Sequence, residues 1–394
     1  MQIYNTATKS IQDLEFGPVV NIYTCGITPY DATHIGHAAT YVTYDVLQRR
    51  LRDLGLETRC VRNVTDVDDD ILRKARELGV HYLDLAAKET DRFDNDMRAL
   101  GMIPSWSEPR ATSAIAEIRK FISKLLDKGD AYEVDGFVYF DISRSSDFGA
   151  MCGLERSTML QLAAERGGNP DDPLKRDPLD FVLWQPSLAD EPAWESMWGP
   201  GRPGWHVECS VLAMRDLGVE TIDIHGGGSD LIFPHHECER VQSESLTGKP
   251  FVRLWMHQAM VEMDGEKMSK SLGNLVFVSD LRKQYDPRAI RLALINNHYR
   301  KPWSWSADLM EKASNRLDSW INAGSGNAGL EEVREYLDND LNTPEAVKAI
   351  DAQVLAGNGI SQAAMLLGVD VEKEELTQCV KAVRSAMNEV VPGA

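Results

Sequence analysis

The stretch His34-Ile35-Gly36-His37 decides the fold of this 394-residue chain. It follows an apolar segment at 19–23, which predicts a buried strand, and a predicted turn at 25–29. A helical pattern runs over 34–54, and residues 58–64 predict a second buried strand. A strand, a loop leading into a helix, and a second strand form a βαβ unit. The sequence therefore predicts an α/β nucleotide-binding core with a parallel sheet.

Two imidazoles stand at the start of the predicted helix. His34 and His37 are three residues apart, so they are expected on one face. The backbone N–H groups and the dipole of a helix N-terminus favour phosphate, and Gly36 lets a ligand approach the backbone closely. Two surface histidines on a helix would give the same pattern, so this segment alone leaves both interpretations open.

A second segment, Lys267-Met268-Ser269-Lys270-Ser271, predicts a loop that carries two ammonium groups. Such groups neutralise the charge that builds on the β- and γ-phosphates as pyrophosphate leaves. A solvated basic loop would explain this segment alone. It does not explain the presence of both segments in one chain.

Together the two segments resemble the HIGH and KMSKS signatures of class I aminoacyl-tRNA synthetases. The resemblance implies that the chain binds ATP with magnesium and that an amino-acid carboxylate attacks the α-phosphate. It also implies which residues stabilise the transition state: His34, His37, Lys267 and Lys270. A glycine turn at 226–230 would hold the adenosine.

The remaining pattern predicts the domain organisation. Residues 73–202 suggest an insertion with amphipathic helices, a hairpin at 131–142 and a Pro/Asp/Gly-rich segment at 167–203. Further predicted elements are a helix at 207–217, a strand at 221–225, and mainly helices after 274, with Asn342 as an N-cap. We predict a catalytic domain over 1–274 with the insertion, then a stem-contact-like segment and an α-helical bundle over 275–394.

Cysteine, histidine and glutamate side chains suggest a metal site. Cys25 precedes the first imidazole, and His235 and Glu239 are spaced to share one helical face. With Cys209 they would supply the sulfur, nitrogen and oxygen donors that zinc takes. Cys238 is placed on a neighbouring face. Because buried cysteines are often small core residues, spacing alone leaves the metal and core roles open.

Four segments resemble cysteinyl-tRNA synthetases: Cys25-Gly26-Ile27-Thr28, Asn63-Val64-Thr65-Asp66-Val67-Asp68-Asp69, Gly204-Trp205-His206-Val207-Glu208-Cys209 and Phe233-Pro234-His235-His236-Glu237. In that family a zinc ion binds the substrate thiolate directly. The resemblance implies the zinc ligands Cys25, Cys209, His235 and Glu239. A soft metal with an open position accepts a thiolate and rejects the hydroxyl of serine strongly, so it acts as a selectivity filter.

The same resemblance implies a pocket for cysteinyl-adenylate. Its expected residues are Cys25, Thr28, Thr40, Asn63, Thr65, Trp205, Gly228, Ser229, Asp230 and Val261. Within this set, the indole of Trp205 would wall off the substrate backbone. A core aromatic is the alternative role for Trp205.

The acceptor of the activated cysteine is a separate question. The formal net charge is −19, and the chain is acidic from Ser306 onward, in runs such as Glu331-Glu332, Asp338-Asn339-Asp340 and Glu372-Lys373-Glu374-Glu375. A surface that contacts the phosphates of tRNA needs the opposite charge. The sequence therefore favours a small acceptor over tRNA, although a basic groove elsewhere could bind tRNA.

Several segments resemble the mycothiol-pathway cysteine ligases, which join cysteine to glucosaminyl-inositol. They are the stretch from Cys25 through Thr40, Glu165-Arg166-Gly167-Gly168-Asn169-Pro170, Leu341-Asn342-Thr343-Pro344 and Leu366-Leu367-Gly368-Val369-Asp370. Two residues depart from that family. Asn169 replaces an aspartate of its ERGGDP signature, and Glu239 is a synthetase-like zinc ligand where a small or neutral residue is expected.

We therefore expect an ATP-dependent, AMP-forming cysteine ligase that acts on the amine of a small molecule. The alternatives are a cysteinyl-tRNA synthetase, a ligase with another amine acceptor, and a non-catalytic protein that binds cysteine or nucleotide. The sequence has no membrane-spanning apolar run or secretory signal, and its six cysteines are scattered. These features predict a cytoplasmic protein without disulfides or membrane contact, and we expect a monomer.

Overall fold

A computed structural model describes residues 1–30, 32–263, 265–268 and 273–372. The strands, numbered along the chain, are β1 (Gln2–Asn5), β2 (Ser10–Asp13), β3 (Val19–Ile27), β4 (Glu57–Val64), β5 (Ala131–Val134), β6 (Phe137–Phe140), β7 (Phe181–Pro186), β8 (Gly201–Pro203), β9 (Ile222–Gly228), β10 (Val252–Gln258), β11 (Val261–Met263), β12 (Glu266–Lys267) and β13 (Trp303–Trp305). The helices are α1 (Ile35–Asp53), α2 (Asp69–Leu78), α3 (Tyr82–Ala99), α4 (Ile115–Lys128), α5 (Arg156–Glu165), α6 (Trp205–Leu217), α7 (Glu237–Thr247), α8 (Val278–Leu281), α9 (Pro287–Ile295), α10 (Asp308–Ala323), α11 (Leu330–Asp338), α12 (Thr343–Leu355) and α13 (Ser361–Leu366).

The central sheet is parallel, in the order β10-β9-β3-β4. Helix α1 packs on one face, and α6 packs on the other with α4 and α7. Strand β3 is covered on both faces, since Ile22 belongs to the core on the α1 side and Tyr23 to the core on the α6 side. A strand buried on both sides reads as a continuous apolar run, as the sequence at 19–23 does. The predicted α/β architecture with a parallel sheet is therefore present.

Two predicted turns are wrong. Strand β3 continues through Ile27 because its backbone pairs with β4 beyond the apolar run. The glycines at 226–228 also belong to a strand, since they pair in parallel with 256–258 of β10. A Cβ on Gly226 would lie 1.8 Å from the hydroxyl of Tyr44, so this glycine is required by packing. The chain leaves the strand after Gly228 and turns at Ser229–Leu231.

Residues 131–203 contain a second sheet, antiparallel and in the order β5-β6-β7-β8. The predicted hairpin supplies β5 and β6. Strands β7 and β8 lie inside the Pro/Asp/Gly-rich segment, where the sequence did not indicate them. Their core side chains join those of α4 and α6, so the insertion continues the core on one side of the parallel sheet.

Helices α9 to α13 complete the other side, where their apolar residues share a core with α1. One of the predicted acidic runs proves to be structural. Asp340 is buried, accepts hydrogen bonds from the Tyr4 N–H (2.9 Å) and the Tyr299 hydroxyl (2.6 Å), and pairs with Arg300. Asp338 pairs with Arg50 at 2.8 Å. These two carboxylates join elements of the fold and do not form a repelling surface. The acidic residues from 373 onward lie outside the described residues.

The domain limits at 274 and 275 stay a prediction. Among the helices of the described ranges, none combines the length and the apolar character needed to cross a membrane.

A buried ion pair joins the first helix to the helical part. Arg291 on α9 and Asp45 on α1 are both fully buried and contact each other. The guanidinium also donates to the carbonyls of Leu367 (2.7 Å) and Leu100 (3.1 Å). Replacing Arg291 with leucine would leave a buried carboxylate and two buried carbonyls without this partner. Because Asp45 would keep its ion pair with Arg49 (2.7 Å), we expect a loss of about 3 kcal/mol in the free energy of unfolding.

Urea denaturation would measure this loss, with Arg334→Leu as the matched control. Arg334 pairs with Asp53 (2.6 Å) at a more exposed position, so its loss should cost about 1 kcal/mol or less. Equal losses in the two variants would contradict the role assigned to the buried pair.

Candidate active site

The site lies at the carboxyl ends of the central parallel strands. From β3 the chain crosses to β4 on one side, whereas β9 and β10 lie on the other, so the order reverses between β3 and β9. Ligands of open α/β sheets bind in the crevice at such a switch point. The end of β3 carries Cys25, and the end of β9 leads into Ser229 and Asp230. The fold therefore brings the two ends of the predicted substrate pocket together.

His34 and His37, the two histidines predicted to stabilise the transition state, are stacked. The ring of His34 lies 3.8 Å from that of His37, the first half-buried and the second exposed. His34 is the N-cap of α1, where its Nδ1 accepts hydrogen bonds from the N–H groups of Gly36 (3.1 Å) and His37 (3.4 Å). Two N–H groups expected to face phosphate are thus directed to an imidazole. A Cβ on Gly36 would lie 2.9 Å from that ring, so Gly36 makes room for the cap.

The segment that follows the predicted lysine loop lies against the start of α1. The N–H of Ile35 donates to the carbonyl of Val276 (2.9 Å), and the N–H of Val278 donates to Thr33 (2.9 Å). Of Lys267 the structure describes the backbone, which ends the short strand β12; Lys270 lies outside the described residues. The roles of both lysines remain predictions.

The four predicted zinc ligands form one buried cluster. The ligand atoms of Cys25, Cys209, His235 and Glu239 all lie within 4.8 Å of one another. The two sulfur atoms are 3.9 Å apart, Cys25 Sγ is 3.5 Å from Glu239 Oε1, and His235 Nε2 is 3.1 Å from the same oxygen. Tetrahedral ligands about 2.0–2.3 Å from zinc lie about 3.3–3.8 Å apart. The cluster fits a tetrahedral metal.

A second set of donors overlaps the first and consists of Cys25, His225, His236 and Glu239. In this second set, the Nε2 atom of each histidine contacts another donor atom of the set. His236 Nε2 lies 3.2 Å from Cys25 Sγ, and His225 Nε2 lies 3.0 Å from Glu239 Oε2. His235 Nε2, in contrast, is buried and makes no hydrogen bond with a described residue, because its 3.1 Å contact with Glu239 Oε1 lacks hydrogen-bond geometry. Its other ring nitrogen is 2.9 Å from Nδ1 of His206, as expected for a metal ligand oriented by an outer partner. The orphaned nitrogen favours the first set.

The charges of the cluster also suit a cation. Burial raises the pKa of the Cys25 thiol well above its ordinary value, and Cys209 and Glu239 raise it further. Burial lowers the pKa of His235 well below its ordinary value, and His206 and His225 add to the effect, so its imidazole is neutral. Neutral imidazole and deprotonated thiol are the forms that bind zinc, and a dication would compensate the negative charge.

Thr28, Asn63 and Thr65 lie beside the cluster. Asn63 is buried. Its side-chain oxygen Oδ1 accepts a hydrogen bond from the N–H of Gly26 (2.8 Å), and its side-chain NH2 group donates to the hydroxyl of Thr65 (3.0 Å). Cys209 Sγ lies 3.7 Å from the same oxygen. A Cβ on Gly26 would overlap the backbone carbonyl of Asn63, so glycine permits this close approach of β3 and β4. These contacts fix one wall of the predicted cysteine pocket.

Trp205 begins α6 and stacks on the ring of His235 at 4.2 Å with an interplanar angle of 21°. The half-buried indole therefore covers a proposed zinc ligand, which agrees with a place in the site better than with a core role. Thr40 hydrogen-bonds the carbonyl of Gly36 (3.1 Å), one turn back on α1, and Val261 is buried in β11. Their contacts with an adenylate remain predictions.

One residue of the ligase-like signature, Arg166, contacts the segment predicted to hold the adenosine. Arg166 follows α5 and donates to the backbone carbonyls of Asp230 and Phe233. Asp230 belongs to the predicted adenosine set, and Phe233 lies two residues before His235. The arginine thus holds the segment that joins the adenosine turn to the metal cluster.

Three functional neighbours were not assigned from the sequence. His206 orients His235, His225 contacts Glu239, and Asp68 accepts a hydrogen bond from the Thr28 hydroxyl (3.1 Å). A histidine inside the apolar strand pattern at 221–225 was the available signal for His225. For the other two, the contacts join distant parts of the chain, and no spacing indicates them.

Comparison with known proteins establishes the family. The catalytic-domain pattern of the class I (C) tRNA synthetases matches residues 12–315. The chain belongs to this family. A ligase of Streptosporangium roseum named L-cysteine:1D-myo-inositol 2-amino-2-deoxy-alpha-D-glucopyranoside ligase is 44% identical over 381 residues, which cover 94% of this chain and 93% of the relative. A Parafrankia protein of the same name is 48% identical over 364 residues, with 90% and 82% covered. The resemblance found in the sequence is confirmed.

Solved structures of the class I synthetases have the same fold. The methionyl-tRNA synthetase of Mycobacterium tuberculosis in complex with methionyl-adenylate superposes with a TM-score of 0.64, covering 90% of this chain and 88% of the synthetase, at 17% sequence identity. At this identity the likeness concerns the fold alone. It confirms the predicted class I α/β architecture.

The departure at Asn169 from the signature of the ligases leaves the backbone intact. Asn169 has φ +34°, in the left-handed region where asparagine and aspartate are the side-chain-bearing residues best tolerated. Gly168 precedes it, and a Cβ there would lie 2.9 Å from the carbonyl of Ala163. The signature in this class I chain is therefore a tight turn after α5, and asparagine preserves it.

Replacing Arg166 with methionine should weaken ATP use. The variant keeps an unbranched apolar chain but removes the hydrogen bonds to the carbonyls of Asp230 and Phe233. We expect the KM for ATP to rise on the order of tenfold, with kcat changed less and zinc retained, since a hydrogen bond from a charged group contributes about 1.5–3 kcal/mol. The ATP dependence of ATP–pyrophosphate exchange measures this.

The matched control is Arg156→Met at the first residue of α5, where the arginine pairs with Asp177 (2.8 Å) at the surface. It should leave the KM for ATP within about twofold of the wild type. An equal rise of the KM for ATP in both variants would show that Arg166 supports only the insertion.

Proposed function

We propose that the chain is an ATP-dependent cysteine ligase, which forms cysteinyl-adenylate and transfers cysteine to the amine of glucosaminyl-inositol. The observation that carries the proposal is the buried Cys25, Cys209, His235 and Glu239 cluster, at the sheet edge where the HIGH-type helix begins. The relatives named above supply the acceptor, because they cover most of this chain and are named for joining cysteine to an amino sugar of myo-inositol.

In the first half-reaction a carboxylate oxygen of cysteine attacks the α-phosphorus of ATP. A P–O bond forms, the bond to pyrophosphate breaks, and cysteinyl-adenylate remains. His34 and His37, with Lys267 and Lys270, would stabilise the charge on the phosphates, and magnesium would accompany the nucleotide. Zinc held by the cluster would provide a soft Lewis acid for the substrate sulfur.

The chain's own residues would hold the adenylate. Asn63 and Thr65 would form one wall beside the cysteine, and Trp205 would cover the cluster and exclude water. Gly228 at the end of β9 and the turn with Ser229 and Asp230, held by Arg166, would receive the adenosine.

A cysteinyl-tRNA synthetase is the second candidate. One observation favours it: Glu239 is fully buried and points into the cluster, which makes the metal site synthetase-like. Because both candidates share the first half-reaction, only the acceptor separates them.

The deciding experiment gives the purified protein ATP and cysteine with either glucosaminyl-inositol or bulk tRNA. Mass spectrometry and acid-precipitable label would report which molecule becomes cysteinylated. We expect the amide of glucosaminyl-inositol together with AMP. Charging of tRNA alone would overturn the ligase proposal in favour of the synthetase.

A further inference from the structure

Asp68 places a carboxylate next to the predicted cysteine pocket. It is the N-cap of α2, where its Oδ1 accepts from the N–H of Ile71 at 2.9 Å. Its Oδ2 accepts from the hydroxyl of Thr28 at 3.1 Å. Asp68 itself is half-buried. An N-cap alone needs only one of the two oxygens, so the contact with Thr28 is additional.

The surroundings of Asp68 are acidic. Asp69 and Asp70 follow it on α2, and Glu208 approaches from α6. Arg202, the nearby cation, pairs with Asp69 and Glu191. Within the described ranges, no lysine or arginine forms an ion pair with Asp68. A positively charged ligand would therefore meet a carboxylate that no described lysine or arginine neutralises.

Glu208 differs from Asp68 in access. It is fully buried, and neither carboxylate oxygen has a hydrogen-bond partner among the described residues. Burial raises its pKa well above the ordinary value, and Cys209 and Asp68 raise it further. Of these two acids, only Asp68 is partly exposed.

The protonation state of Asp68 is also suited to proton transfer. Burial raises its pKa to about 7, and the charges of Asp70 and Asp69 contribute. A general base works best when its pKa lies near the working pH. The carboxylate is the form present above this pKa, so its capacity to accept a proton grows as the pH rises through about 7.

The amide-forming step requires such a group, because an ammonium group has no lone pair with which to attack a carbonyl. We propose that Asp68 is the catalytic base that takes the proton from the ammonium group of the acceptor in the second half-reaction. This inference rests on the proposed function, and it extends that function to a residue outside the predicted set.

The ammonium group gives one proton to the Asp68 carboxylate, and the neutral nitrogen forms a bond to the carbonyl carbon of cysteinyl-adenylate. The bond between that carbon and the phosphate oxygen breaks, and AMP leaves with the electron pair. The nitrogen loses its second proton to the departing phosphate, which gives an amide and AMP. Solvent later removes the proton from Asp68.

The test is Asp68→Asn, because asparagine is a good N-cap and its NH2 group can donate to the Thr28 hydroxyl in place of the present contact. ATP–pyrophosphate exchange with cysteine reports the first half-reaction, and single-turnover transfer from preformed adenylate reports the second. We expect exchange within about threefold of the wild type and transfer lower by about 10²–10³-fold. The wild-type transfer rate should level off above about pH 7, whereas that of the variant should keep rising until the amine itself is deprotonated.

Asp69→Asn is the matched control, since it removes a neighbouring charge from an exposed side chain without touching Thr28. It should change neither rate by more than about twofold. Equal losses of exchange and transfer in Asp68→Asn would overturn the proposal, because Asp68 would then act on cysteine through Thr28. Unchanged transfer would overturn it as well.

The wild type, assayed with glucosaminyl-inositol and with glucosamine, separates this proposal from the proposed function. Use of glucosamine alone would overturn the proposed acceptor. A larger loss of transfer than of exchange in Asp68→Asn would still support Asp68 as the base. Charging of tRNA alone would overturn both, because a ribose hydroxyl carries no ammonium proton.

Discussion

Replacement of Cys209 with alanine is expected to remove zinc and the use of cysteine together. Its sulfur lies 3.9 Å from that of Cys25 in the buried cluster, and Cys209 belongs to the first set of donors but not to the second. Loss of an outer partner of a metal ligand already costs about 10–100-fold, so loss of a ligand should lower cysteine-dependent exchange by more than about 100-fold. Zinc, measured by mass spectrometry of the purified protein, should fall from about one ion per chain to below about 0.1.

Cys238→Ala is the matched control. This cysteine is equally buried and adjacent to Glu239, but its sulfur is outside the cluster. The variant should keep zinc and exchange near wild-type levels. If Cys209→Ala retained both zinc and its preference for cysteine, the proposed site would be refuted.

Variants of the two stacked histidines should distinguish a loss of catalysis from a loss of helix capping. Alanine at His37 is expected to lower ATP–pyrophosphate exchange by about 10²–10³-fold, the usual cost of removing one donor from a charged transition state. Alanine at His34 should cause a similar loss and also destabilise the fold by about 1 kcal/mol, because His34 caps α1. Exchange assays and urea denaturation measure the two effects.

Asparagine at His34 refines this test, since asparagine is a strong N-cap but a short, neutral one. His34→Asn should keep the free energy of unfolding and still lose exchange. If His37→Ala exchanged within about threefold of the wild type, the imidazole would have no role in adenylation.

The sequence was sufficient for those parts of the site that are fixed by local motifs. The start of α1 lies within one residue of its predicted position, because the residues around His34 carry the signal for a helix N-terminus. The cluster was foreseen through the resemblance, and its ligand atoms are close together. Their roles stay predictions.

What the sequence could not provide depends on contacts between distant segments. The glycines at 226–228 look like a turn but are a strand, because pairing with β10 and the hydroxyl of Tyr44 decide their conformation. Asp340 looks like part of an acidic surface but binds Tyr4 and Tyr299. The contact of Asp68 with Thr28 joins residues 40 positions apart, which no local pattern encodes.

The central claim is that the chain activates cysteine and selects it through a buried metal cluster. ATP–pyrophosphate exchange by the intact protein, measured with cysteine and with serine in the absence of any acceptor, tests it most directly. We predict exchange with cysteine that exceeds exchange with serine by at least about 10³-fold, more than the roughly 10²-fold that an apolar pocket achieves between such close analogues. No cysteine-dependent exchange, or equal exchange with both amino acids, would contradict the account.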